Sequence, residues 1–214
     1  MLNYAFKLLW SLAIYALFTI SSVNAETQVE TVSIYSDKKE NHYKSPDHQD
    51  INHNIMLPVT PLIRQDGTKV LFPKVVDDGK PVVLTFVFTS CKAVCPVMSH
   101  IMKTLQNKLG ERAQKINMIS ISLDPEYDTP ERLTQYAHQL GAGPQWGHYT
   151  GINSDIVKLE KALSIYRGDK MNHLPVFFIR MSPSDSWVRL DGFVSTESII
   201  KQLGMEDQDT PKTH

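Results

Sequence analysis

Between residues 57 and 204 the chain alternates short apolar runs with longer stretches in which apolar residues return every three or four positions. Short apolar runs bounded by turn residues read as buried strands, and the longer periodic stretches as helices packed on one face. Residues 61–72 predict a β-hairpin turned at Asp66-Gly67. Residues 82–88 are almost continuously apolar and predict a buried strand. In the stretch after it, Val97, Ile101, Leu105 and Leu109 recur every four residues, which predicts a helix with these side chains on its apolar face. Residues 116–123, rich in isoleucine, predict a second strand. Asp128 or Thr129 can cap the next helix, with Pro130 at an early position, Glu131 at the positive end and Gly141 as a left-handed stop.

Residues 146–150 predict a short strand, and Asn153 or Ser154 caps a helix running to about Tyr166. Residues 175–181 and 188–193 predict two further strands joined by a polar turn at 182–186. Ser195 caps a last helix that stops at Gly204. Strands alternating with helices, followed by a terminal hairpin and helix, predict an α/β sandwich around one central sheet, with the first hairpin as an N-terminal extension.

The remaining segments have other patterns. Lys7 precedes a charge-free, mostly apolar stretch over residues 8–20, and Val23-Asn24-Ala25 offers small residues for cleavage, so residues 1–25 read as a secretory signal. The stretch has 13 residues against the roughly 20 a bilayer span needs, so membrane association is expected only if the segment is retained. Residues 26–57 read as a polar tether. Residues 36–54 are nearly all polar and carry His42, His48 and His53 at spacings that make a weak metal signal. The expected domain spans residues 58–204, and residues 205–214 form a polar tail.

Charge and cysteine content narrow the chemistry. The net charge is −1, or −2 once the signal is lost, which argues against nucleic acid as a partner. Export implies an oxidising compartment, the bacterial periplasm, where two cysteines join unless a metal or a reductant intervenes. Both cysteines of the chain, Cys91 and Cys95, lie where the strand at 82–88 gives way to a helix. On a helical turn, positions four apart share a face, so both sulfurs can point to one place. A helix start also favours thiolate, which is both nucleophile and metal ligand. A disulfide between them would close a very short loop and stabilise the fold little, which favours a working site over a staple.

Two thiolates select a soft ion such as Cu(I) or zinc and leave room for a third ligand. His100 is turned away from the sulfurs on the cysteine helix, His138 sits mid-helix among polar neighbours, and His148 reads as a core residue in a strand. His173 directly precedes the strand at 175–181. By spacing it is one candidate among several. A dithiol at the end of an early strand fits the thioredoxin-like plan, and in such a sheet the loop before that strand packs against the cysteine turn.

The motifs resemble those of the Sco/SenC family of thioredoxin-like copper-binding proteins of cytochrome oxidase assembly. The aromatic strand and Cys-x-x-x-Cys-Pro pattern is present as Phe86-Val87-Phe88-Thr89-Ser90-Cys91-Lys92-Ala93-Val94-Cys95-Pro96. The second motif is Asp124-Pro125-Glu126-Tyr127-Asp128-Thr129-Pro130, and His148-Tyr149-Thr150-Gly151 stands for the family's Leu-Thr-Gly. The downstream histidine is His173, flanked by Asn172 and Leu174 where the family commonly has aspartate and serine. The resemblance implies Cys91, Cys95 and His173 as ligands of one copper ion, Cu(I) or Cu(II), with Asp124 nearby as a modulator of the cysteines. It implies delivery of copper to the copper-site subunit of a respiratory oxidase, or reduction of that site's cysteines.

The alternative is a periplasmic thiol-disulfide oxidoreductase acting on another thiol protein. There Cys91 attacks and Cys95 resolves, and Pro175 takes the place of the proline that faces the dithiol in such enzymes. A peroxidase of the peroxiredoxin type is disfavoured, because Phe88 and Lys92, not threonine, stand three residues before the cysteines.

Overall fold

The computed structural model describes residues 57–206, all within the second of two units of the chain, Pro46–His214. The expected signal, most of the tether and its histidines, and most of the polar tail lie outside the described residues. Seven strands form one sheet in the order β2-β1-β5-β4-β3-β6-β7. They are β1 (Pro61–Arg64), β2 (Lys69–Leu71), β3 (Val82–Val87), β4 (Asn117–Ser122), β5 (Trp146–Thr150), β6 (Val176–Arg180) and β7 (Val188–Asp191). The helices are α1 (Phe72–Val76), α2 (Val94–Leu109), α3 (Pro130–Leu140), α4 (Asn153–Ala162) and α5 (Thr196–Gln202). The protein is thus the expected mixed α/β fold, with a thioredoxin-like central sheet flanked by helices.

β3, β4 and β5 run parallel, β6 adds antiparallel to β3, and β7 adds antiparallel to β6 at the edge. The hairpin of β1 and β2 extends the sheet at the other edge, where Ile63 pairs with Thr150. β3 is buried along its whole length because it sits inside the sheet with both faces covered. Phe72, Phe88, Trp146, Phe177 and Phe178 are among the largest side chains of the core.

Several expected boundaries move for local reasons. α1 was not foreseen: its five residues are too few to show a helical period, although Pro73 sits in its first turn. α2 begins at Val94, so Cys91 lies in the turn before the helix instead of on it. Val97 is 41% exposed, and the buried face of α2 runs through Met98, Ile101, Met102, Leu105 and Leu109. Four residues turn a helix by more than one full revolution, so a strict four-residue series drifts off the buried stripe. α4 stops at Ala162, short of Tyr166, because Ser164 adopts a left-handed φ of 57°. Ile152, not Asn153 or Ser154, occupies its cap position. Thr129 caps α3, accepting from the Arg132 N–H, and Asp128 is used elsewhere. Among the described residues no helix is long and apolar enough to cross a membrane.

Candidate metal centre

The turn leaving β3 carries the two cysteines in unequal settings. Cys91 is partly exposed and Cys95 is buried. The N–H of Cys91 donates to the Phe88 carbonyl at 3.2 Å, which curls the chain back on the strand end. The N–H of Cys95 donates to the Cys91 sulfur at 3.4 Å, and the N–H of Phe88 donates to the Cys95 sulfur at 3.3 Å. The sulfurs therefore converge through backbone hydrogen bonds, Cys91 from the non-helical turn and Cys95 from the first turn of α2, and not through a shared helix face.

Asp128 holds this turn. It is fully buried, and its carboxylate accepts from the N–H of Thr89 at 3.1 Å, from the Thr89 hydroxyl, and from the Ser122 hydroxyl at 2.6 Å. It thus joins the residue two before Cys91 to the end of β4. The sequence placed Asp128 in the motif and offered it, with Thr129, as a candidate helix cap; its partner Thr89 lies 39 positions away, where no local pattern could show it.

His173 follows a short 3-10 turn, Lys170–Asn172. Its Nδ1 lies 2.7 Å from the Lys170 carbonyl. A carbonyl only accepts, so Nδ1 carries the proton and Nε2 presents its lone pair. Nε2 is 3.4 Å from the Cys95 sulfur, where the thiol donates to it. Phe88 packs against the ring edge-on, with centroids 5.3 Å apart. The missing aspartate at position 172 thus leaves no gap in the support of the imidazole, since the Lys170 carbonyl orients it.

One donor atom each from Cys91, Cys95 and His173 lies within 4.8 Å of the others. Among the described residues, the other histidines stand apart. His100 and His138 are exposed on α2 and α3, and His148 is fully buried in β5. The Asp124 carboxylate lies 2.6 Å from the Lys170 ammonium, and Asp124 is not a member of the donor group.

The electrostatics divide the labour between the thiols. Burial pushes the Cys91 thiol up, but hydrogen bonds from the backbone of Cys95, Ala93 and Val94 outweigh it and hold the thiol below its ordinary range. Burial drives Cys95 far up, and the charges of Cys91 and Asp128 add to the rise. Burial lowers His173, against the pull of the Lys170 carbonyl. At neutral pH the centre therefore offers a nucleophilic sulfur, a protonated buried thiol and a neutral imidazole. Two soft sulfurs with one imidazole nitrogen fit Cu(I), and binding would release the Cys95 proton.

The SCO1/SenC family model matches residues 61–200. The SCO1 protein homolog of Bacillus subtilis is 32% identical over 104 residues, which is 48% of this chain and 52% of that protein. The chain spans about half the length of the curated relatives it matches. Among solved structures, Bradyrhizobium japonicum ScoI with copper bound is 25% identical with a TM-score of 0.57, covering 68% of this chain and 95% of that one. BsSco, described as a Sco-family cytochrome c oxidase assembly protein with a disulfide switch, is 26% identical with a TM-score of 0.58, covering 75% and 95%. The family match spans both cysteines, the Asp124–Pro130 motif and His173, and the chain belongs to the SCO1/SenC family.

Proposed function

We propose that this protein is an exported copper carrier whose cargo is held by the thiolates of Cys91 and Cys95 and by Nε2 of His173. The observation that carries this reading is the convergence of these three donors within 4.8 Å. Copper bound to the Bradyrhizobium relative and the link of BsSco to cytochrome c oxidase assembly support it. The recipient is the copper-site subunit of a respiratory oxidase, which receives the ion or has its cysteines reduced beforehand. The apolar stretch over residues 8–20 supports export, with the periplasm as the compartment. There the pair has two states: a dithiol that binds copper and a disulfide that does not.

A second reading is favoured by the asymmetry of the cysteines. The Cys91 thiolate attacks a partner disulfide, one partner sulfur leaves as thiolate, and a mixed disulfide forms. Cys95 gives its proton to His173 Nε2, 3.4 Å away, and attacks the Cys91 sulfur. The second partner sulfur then leaves, so the partner is reduced by two electrons and this protein is oxidised to its disulfide.

Titration of reduced protein with Cu(I) against a chromophoric chelator tests the carrier reading. One equivalent should bind, and Cys91→Ser or Cys95→Ser should abolish it. Undiminished binding in either variant overturns the ligand assignment. Loaded protein should pass its copper to a reduced oxidase copper-site domain; if it passes none, while the metal-free dithiol protein reduces the oxidised domain's disulfide, the second reading holds instead.

A further inference from the structure

His173 gains its orientation from Lys170, and Lys170 is itself fastened. The Lys170 carbonyl accepts from both the backbone N–H of His173, at 3.2 Å, and its Nδ1–H, at 2.7 Å. The Lys170 ammonium meets Asp124 Oδ2 at 2.6 Å. Asp124 is rigidly placed: its N–H donates to the Ser122 hydroxyl at 2.9 Å, and its carbonyl accepts from the N–H groups of Tyr127 and Asp128. Within the turn, the Asp169 carboxylate accepts from the N–H of Met171 at 2.8 Å. The turn is therefore closed locally by Asp169 and tied to the end of β4 by Lys170.

We propose that Lys170 is a positioning residue: latched to Asp124, it holds the carbonyl that fixes the Nδ1–H tautomer of His173 and aims Nε2 at the cysteines. The Lys170 side chain is 38% exposed, so the ion pair itself contributes little to global stability. Its effect falls on the imidazole. A metal-bound histidine that loses the partner of its second nitrogen typically binds 10–100-fold more weakly. The role in copper binding rests on the carrier reading, whereas the tautomer lock is a property of the metal-free protein.

The experiment compares wild type, Lys170→Met, Lys170→Arg and Asp124→Asn by imidazole nitrogen NMR of the reduced, metal-free protein, with copper affinity measured alongside. Wild type should show a single Nδ1–H tautomer for His173, and Lys170→Arg should keep it. Lys170→Met and Asp124→Asn should show mixed tautomers and about tenfold weaker copper binding, with unchanged thermal unfolding. An unchanged tautomer in both, or, where wild type binds copper, an unchanged affinity in both, overturns the latch. A wild type that binds no copper while Lys170→Met still mixes the tautomers overturns the carrier reading and supports the latch.

Discussion

The Asp128 carboxylate grips Thr89 through both its N–H and its hydroxyl, and so fixes the start of the cysteine turn to β4. Every group that reaches this carboxylate in the described contacts is a donor. Asparagine would keep the shape but turn an NH2 group towards donors. Asp128→Asn should therefore lower unfolding stability by about 2 kcal/mol, since hydrogen bonds to charged groups contribute roughly that much. It should also weaken copper binding, because the spacing of Cys91 from Cys95 depends on the turn. Denaturant unfolding and chelator competition on the one variant check both. An unfolding midpoint equal to that of wild type would show that the contacts contribute nothing net.

The two thiols should differ in reactivity. Cys91 is partly exposed with its thiol lowered by backbone N–H groups, whereas Cys95 is buried with its thiol raised. In reduced protein, iodoacetamide should label Cys91 first, with its rate rising at a pH below that of an ordinary thiol. Cys95 should resist until the protein unfolds. Peptide mapping of partly alkylated samples across pH reads this directly, and equal labelling of the two residues would reverse the assigned roles.

Much of this centre was legible in the sequence. The cysteine turn lies at a strand end that announces itself by an apolar run, and His173 precedes another such run. The support of these residues was not legible. Asp128 meets Thr89 across 39 positions, and the group that orients His173 is a backbone carbonyl, which has no residue signature. Asp124 was expected near the site as a modulator of the cysteines, and the Lys170 ammonium that its carboxylate meets has no local signature pointing to it. Local pattern shows which residues carry chemistry, while tertiary placement decides which residues hold them.

His148 links the fold to pH. Its imidazole is fully buried, stacked on Trp146 at 5.1 Å between centroids and edge-on to Tyr136 at 5.9 Å. Neither ring nitrogen has a hydrogen-bond partner among the described residues. Burial lowers its pKa from 6.5 to about 4 in the folded state. A group depressed on folding contributes its full stability above the unfolded value and loses it as pH falls through the folded value. Between pH 6.5 and 4 this one group should remove about 3 kcal/mol. His148→Phe should flatten that part of the pH profile, measured as urea midpoints at both ends. Parallel profiles for wild type and variant would contradict the assignment.

The face of α2 that packs on the sheet can be tested by truncation. Met98 is fully buried and Val97 is 41% exposed, although the four-residue spacing pointed to Val97. Met98→Ala should cost about 2–5 kcal/mol and Val97→Ala under about 0.5 kcal/mol in thermal or denaturant unfolding. The reverse order would mean that the helix is rotated by one position.

X-ray absorption at the copper edge, on protein loaded with one equivalent of Cu(I) under reducing conditions, reads the ligand set itself. Two sulfur neighbours and one imidazole nitrogen should surround the ion, and the nitrogen contribution should vanish in His173→Ala. A coordination shell without sulfur, or one unchanged by His173→Ala, would contradict the assignment of Cys91, Cys95 and His173 as the donors.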